Sequence, residues 1–188
     1  ARIAAQLRQQ LRLYPCVGKD IVLLRRGTRT AALGRVHRAI TESDIVLIET
    51  VSRLHDGDEN ATSSVAALLS AVEWLAQTAN AGIVLLHHTS KFADLNGLGG
   101  SQHAARGSSA FVDKIRWMAN LFNMSQDEAA KLGVEAARKH ILRFEITKAN
   151  HIPPQEPMRL RRGEGGVLRL AEGTSGGKTT ARRGAHDR

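Results

Sequence analysis

Two short apolar runs, Ile-Val-Leu-Ile-Glu at residues 45–49 and Gly-Ile-Val-Leu-Leu-His-His at 82–88, constrain this chain more than any other feature. Both are rich in β-branched residues, neither alternates polar with apolar, and both end in polar groups. That is the pattern of parallel strands buried on both faces, with chemistry held at their tips. Between them Val65, Leu68, Leu69, Val72, Leu75 and Ala76 recur at helical spacing. The segment therefore reads as strand, crossover helix and parallel strand, with a right-handed connection. An α/β fold follows, and Glu49, His87 and His88 are expected side by side at the carboxyl edge, where open α/β sheets bind ligands.

The tip residues point to a class of ligand. An acid closing a buried strand can hold Mg²⁺ directly or through water while the metal bridges phosphates; a solvated strand cap is the plain alternative for Glu49. A histidine on the next tip can hydrogen-bond a terminal phosphate and report its loss to the following loop. His87 and His88 also fit as half-buried imidazoles with no such task.

Residues 89–110 are too rich in glycine and polar side chains for a core, and too long for an ordinary connection. Lys91, Gln102, His103 and Arg106, with Ser108, offer donors suited to a phosphate backbone, and the glycines allow the segment to move; a surface loop without function is the alternative. A helix is expected over 108–123, carrying Phe111, Ile115, Met118 and Leu121 with Arg116 beside Trp117. Arg116 there is either a structural ion pair with Asp113 at i−3 or a finger offered to a phosphate.

Six ordered runs carry a wider likeness: Ile-Val-Leu-Ile-Glu-Thr, Arg-Leu-His with Asp-Glu-Asn close behind, Leu-Leu-His-His-Thr-Ser-Lys, Ala-Ala-Arg-Gly-Ser-Ser-Ala, Val-Asp-Lys-Ile-Arg-Trp, and Thr-Lys-Ala-Asn. On these, residues 44–150 resemble the second half of the RecA-like motor of plasmid-encoded hexameric replicative helicases of the RepA family, relatives of the DnaB-type helicases. The resemblance implies a partial RecA-like P-loop NTPase core, mainly a parallel sheet flanked by helices, that uses ATP and Mg²⁺. It also implies a homo-oligomer, a hexameric ring, moving on single-stranded DNA during plasmid replication. Glu49 matches the Walker B acid and metal ligand, with Thr50, His87 and His88 beside the nucleotide. His88 matches the nucleotide-sensing strand end, Arg116 the finger given to a neighbouring subunit, and Lys148 a strand-tip position with a catalytic task. The single strand would lie on Lys91, Gln102, His103 and Arg106.

Two departures qualify these expectations. The family carries Asp where this chain has Glu49, and the added methylene moves the carboxylate by about 1 Å or more, enough to disturb Mg²⁺ geometry. The phosphate-cradling loop and the strand bearing a water-activating glutamate have no counterpart in the 188 residues, so a segment upstream of Ala1 is expected and the chain by itself is expected to be inactive. Residues 172–179, Glu-Gly-Thr-Ser-Gly-Gly-Lys-Thr, imitate such a loop but put Glu172 where its first glycine belongs, and no apolar periodic helix follows. A degenerate, non-catalytic RecA-like module for oligomerisation or DNA binding is the competing function.

Charge is unevenly spread within the net +9. Residues 1–40 hold nine Lys/Arg and one acid, 41–158 ten and fourteen, and 159–188 eight and three, so basic flanks enclose a mildly acidic centre. Basic flanks suit nucleic acid, and with only 4% aromatic residues the contact would be to the backbone and salt-sensitive rather than by base stacking. Cys16 is the sole cysteine, which excludes an internal disulfide and fits a cytoplasmic protein, and no run reaches transmembrane length. His55, His87, His88 and His103 lack the paired spacing of a zinc site.

The remaining chain reads as a helix over 1–13, a strand or its approach at 20–24, a helix over 28–42, a capping box from Ser125 to Glu128 opening a helix to about 138, and a strand over 140–147. A closing β-hairpin pairs 158–161 with 167–170. One core domain over 1–170 and a basic disordered tail over 171–188 complete the expected organisation.

Overall fold

A computed structural model describes residues 9–88 and 109–171, in two compact units, Ala1–His87 and His88–Arg188. The loop and tail expectations for 89–108 and 172–188, including Lys91, Gln102, His103 and Arg106, lie outside the described residues, as does the start of the expected first helix. Of that helix, residues 9 and 10 are helical, and Leu11 and Leu13 are exposed in irregular chain. Pro15 accounts for the stop, since it pushes the preceding residue out of the helical region.

The first unit opens with a hairpin, β1 (Leu24–Arg25) and β2 (Thr28–Arg29), closed by Arg26 and Gly27 at φ 48° and 75°. Strand β2 and the cap Thr30 occupy the residues expected to begin a helix at 28. Thr30 accepts a hydrogen bond from the Ala32 amide at 3.1 Å and donates its hydroxyl to the Val22 carbonyl, which sets the start of α1 (Ala31–Ile40). Helix α1 buries Ala32, Leu33 and Ile40 and packs on α2 (Thr62–Ala79), with His37 and Trp74 in ring contact at 5.2 Å.

Strands β3 (Ile45–Glu49) and β4 (Gly82–Leu86) pair in parallel, joined by α2 as the periodicity requires. Val65, Leu68, Leu69, Val72 and Leu75 are all buried; Ala76 is partly so. Asn80 ends the helix at φ 53°, its amide bonding the carbonyls of Ala76 and Gln77.

Burial of β3 and β4 on both faces does not hold. Val46, Ile48, Ile83 and Leu85 are half-buried, whereas Ile45, Leu47, Val84 and Leu86 on the opposite face are exposed. The pleat sends alternate side chains to opposite faces, and among the described residues of this unit the helical layer serves one of them. The uninterrupted apolar run hid this difference.

The second unit is an antiparallel sheet of β5 (Trp117–Asn123), β6 (Ile141–Ala149), β7 (Met158–Arg162) and β8 (Leu168–Leu170), in that order. The parallel sheet of the expected fold is thus the β3–β4 pair, and the larger sheet is antiparallel. The helix expected over 108–123 is corrected: α3 (Ala110–Lys114) is a single turn and a half, and β5 pairs with β6 along its full length. Phe111, Ile115, Met118 and Leu121 imitate a helical stripe, but Trp117, Leu121 and Phe122 belong to a strand-forming run, and the ladder with β6 outweighs local propensity.

Ser125 caps α4 (Gln126–Lys131) by accepting the Glu128 amide at 3.1 Å. The helix stops at Lys131 rather than near 138 because Gly133 turns the chain at φ 66°, and residues 135–140 continue as a 3₁₀ segment. Met124, Ala129 and Ile141 form the small core here, with Val134 and Ala137 packed against it. The Glu128 carboxylate lies 3.2 Å from Arg143 and 3.9 Å from Arg159, tying α4 to the sheet, and the expected hairpin is present as β7 and β8.

Candidate functional site

The register from Ile45 opposite Gly82 to Glu49 opposite Leu86 determines which side chains leave the sheet together. Glu49 and Thr50 follow one strand and His87 the next, all at the same carboxyl edge. The backbone bond from the Gly82 amide to the Asp44 carbonyl, 2.8 Å, holds this register at the opposite end. By strand alternation Glu49 lies on the exposed face with Ile45 and Leu47, while His87 continues the half-buried row of Ile83 and Leu85. His88 follows, exposed, as the first residue of the second unit.

Past the tip, the Glu49–Thr50 peptide is cis and Thr50 caps a 3₁₀ turn, Val51–Arg53. The hydroxyls of Thr50 and Ser52 lie 2.9 Å apart, so Ser52 joins the tip although only its two-residue spacing from Thr50 marks it in the sequence. The Glu49 carboxylate is exposed and makes no ion pair among the described residues, which leaves both oxygens able to accept metal-bound water. No group of three His, Cys, Asp or Glu side chains forms a metal cage among the described residues. A lone carboxylate with neighbouring hydroxyls suits Mg²⁺, which keeps several waters and takes other ligands from phosphates.

In the second unit, Arg116 lies in the connection between α3 and β5, not on a helix. Its side chain is exposed and pairs neither with Asp113 nor with any other described acid; its carbonyl accepts the Asn150 amide at 3.1 Å. Lys148 is half-buried on β6 and donates its ammonium to the carbonyls of Val112 at 2.6 Å and Asp113 at 3.4 Å.

The arrangement is that of an α/β ATPase domain of RecA-like fold, with a parallel strand pair presenting an acid and a histidine at one edge. The chain belongs to the AAA domain family, whose sequence pattern matches residues 1–94. Among solved structures, the ATPase domain of a helicase is similar, with 17% identity, a TM-score of 0.50 and an alignment covering 68% of this chain and 44% of that one. At that identity the likeness is one of fold, and the chain spans less than half of that relative. Among the described residues no helix is long and apolar enough to cross a membrane.

Proposed function

We propose that this chain is part of the ATP-driven motor of a DNA helicase subunit that acts on single-stranded DNA in plasmid replication, in the cytoplasm and as a homo-oligomeric, hexameric ring. The observation that carries the reading is the emergence of Glu49 and His87 at neighbouring tips of β3 and β4, with His88 next in the chain, in a member of the AAA domain family. Glu49 would hold Mg²⁺ through its carboxylate and waters, with Thr50 beside the nucleotide. Mg²⁺ supplies neutralisation of charge on the phosphates. His88 donates a hydrogen bond to the terminal phosphate, Arg116 stabilises charge in a neighbouring subunit's site, and Lys91, Gln102, His103 and Arg106 hold the DNA backbone.

A non-catalytic module that oligomerises or binds DNA is the second reading, favoured by glutamate rather than aspartate at position 49. ATP hydrolysis separates the two, measured on these residues joined to a phosphate-cradling segment. Hydrolysis stimulated by single-stranded DNA, and faster in Glu49→Asp, is the expected result. A protein that binds DNA but turns over no ATP in either form is the module instead.

A further inference from the structure

The cleft that Gly57 keeps open in the first unit belongs to none of the strand-tip residues. Leu24, Arg26, Gly27, His55, Asp56, Gly57, Ser63, Ser64 and Ala67 line a cavity of about 240 Å³. His55 is 8% exposed, yet neither ring nitrogen has a hydrogen-bond partner. Its main chain is fixed by a bridge to Leu24, with the Leu23 amide bonding the Leu54 carbonyl at 2.6 Å, so the ring is held against the cleft. Buried imidazoles are ordinarily hydrogen-bonded, and one held in a polar cleft with both nitrogens unengaged marks a place for a ligand.

The other walls indicate its charge. Ser63 and Ser64 lie in the first turn of α2, an 18-residue helix with no acid in that turn and no side-chain hydrogen bond from its cap, Ala61. The positive end of its dipole therefore opens on the cleft uncompensated by a carboxylate of its own. Arg26 occupies a left-handed turn position, φ 48°, where asparagine or glycine would be less strained, and it forms no ion pair among the described residues. The one acid on the wall, Asp56, accepts the Arg26 amide at 2.9 Å, locking the turn that carries the guanidinium. A Cβ on Gly57 would come within 2.9 Å of the Ser64 side chain and 3.2 Å of His55 Nδ1, so the absence of a side chain there leaves the hollow between those groups.

We propose that this cleft is an oxyanion site for a tetrahedral phosphoryl group, bound by Arg26, His55, the Ser63 and Ser64 hydroxyls and the start of α2. Its volume lies below the range of roughly 300–1,000 Å³ usual for whole organic ligands, which fits one phosphoryl group, free or on a nucleic-acid backbone. The site is independent of the ATPase reading, since it shares no residue with Glu49, Thr50, His87 or His88.

The test is NMR of the His55 ring in the full chain, titrated at constant ionic strength with inorganic phosphate and, separately, with a single-stranded oligonucleotide. A saturable His55 shift is expected. Response to phosphate alone assigns the site to a free anion, and response to the oligonucleotide at concentrations where phosphate gives none assigns it to a backbone. Arg26→Asn tolerates the left-handed turn and keeps the amide bond to Asp56, and it should weaken binding at least fivefold; Gly57→Ala, which fills the hollow, should weaken it at least tenfold. No saturable shift with either titrant, or affinity within twofold of the parent in a folded Arg26→Asn, overturns the proposal.

Discussion

The Lys148 ammonium sits 2.6 Å from the carbonyl oxygen of Val112, so strand β6 holds the end of the short helix α3 through a charged donor. A second contact, 3.4 Å to the Asp113 carbonyl, lies at the same helix end, where backbone acceptors lack partners of their own. Removing the ammonium leaves these half-buried carbonyls with poorer partners. Lys148→Met should destabilise the protein by about 1–2 kcal/mol, read from urea midpoints. If stability is unchanged while ATP turnover in the motor is lost, the lysine serves chemistry instead.

A second prediction rests on one backbone angle. Asn80 closes α2 in the left-handed region at φ 53°, a conformation that asparagine and glycine accept and β-branched residues resist. Asn80→Val should cost about 1–2 kcal/mol, whereas Asn80→Gly should stay within about 0.5 kcal/mol of the parent. Equal thermal midpoints for the two variants would show that the turn re-forms without the left-handed residue.

The strand, helix and strand over β3, α2 and β4 were legible because burial imposes periods of two and 3.6 that Leu47, Leu68 and Val84 display directly. Gly133 and Trp117 show where that legibility ends. A stripe of Phe111, Ile115, Met118 and Leu121 satisfies a helical spacing, and only the pairing of Asn120 with Glu145 and Leu121 with Phe144, contacts far apart in sequence, makes the region a strand. The tip positions of Glu49 and His87 follow from the strand reading itself. The cleft at His55 does not, because it forms where a hairpin turn, a loop and a helix start converge, and no local pattern encodes that meeting.

Acid should reveal the turn around Asp20. Its carboxyl accepts the Val22 amide at 3.2 Å and pairs with Arg25 at 3.1 Å. The Val22 bond first, and then Arg25 and Arg35, hold the group below the ordinary aspartate value against a small opposing effect of desolvation. A depressed folded-state value means that the unfolded chain binds the proton more readily, so the stabilisation is present above the unfolded value and is lost as pH falls through the folded one. Carboxyl NMR should find Asp20 titrating below the ordinary range, and Asp20→Asn should flatten the acid limb of the stability curve slightly. A value at or above the ordinary range would mean that the Val22 and Arg25 bonds do not persist in solution.

Arg116 offers the sharpest separation of structure from chemistry. Its side chain is exposed and unpaired among the described residues, and its structural contribution is the main-chain carbonyl that accepts the Asn150 amide at 3.1 Å, which substitution leaves in place. Arg116→Ala should therefore change stability by no more than about 0.5 kcal/mol. If the guanidinium is the finger proposed for a neighbouring subunit's nucleotide, the same change in the assembled motor should lower ATP turnover by about 10³-fold or more, with nucleotide binding and ring formation nearly intact. Arg116→Lys should not rescue the rate, because an ammonium lacks the planar fork that meets two phosphate oxygens at once. A variant that loses folding together with activity would make the arginine structural, and one that keeps full turnover would remove it from the site.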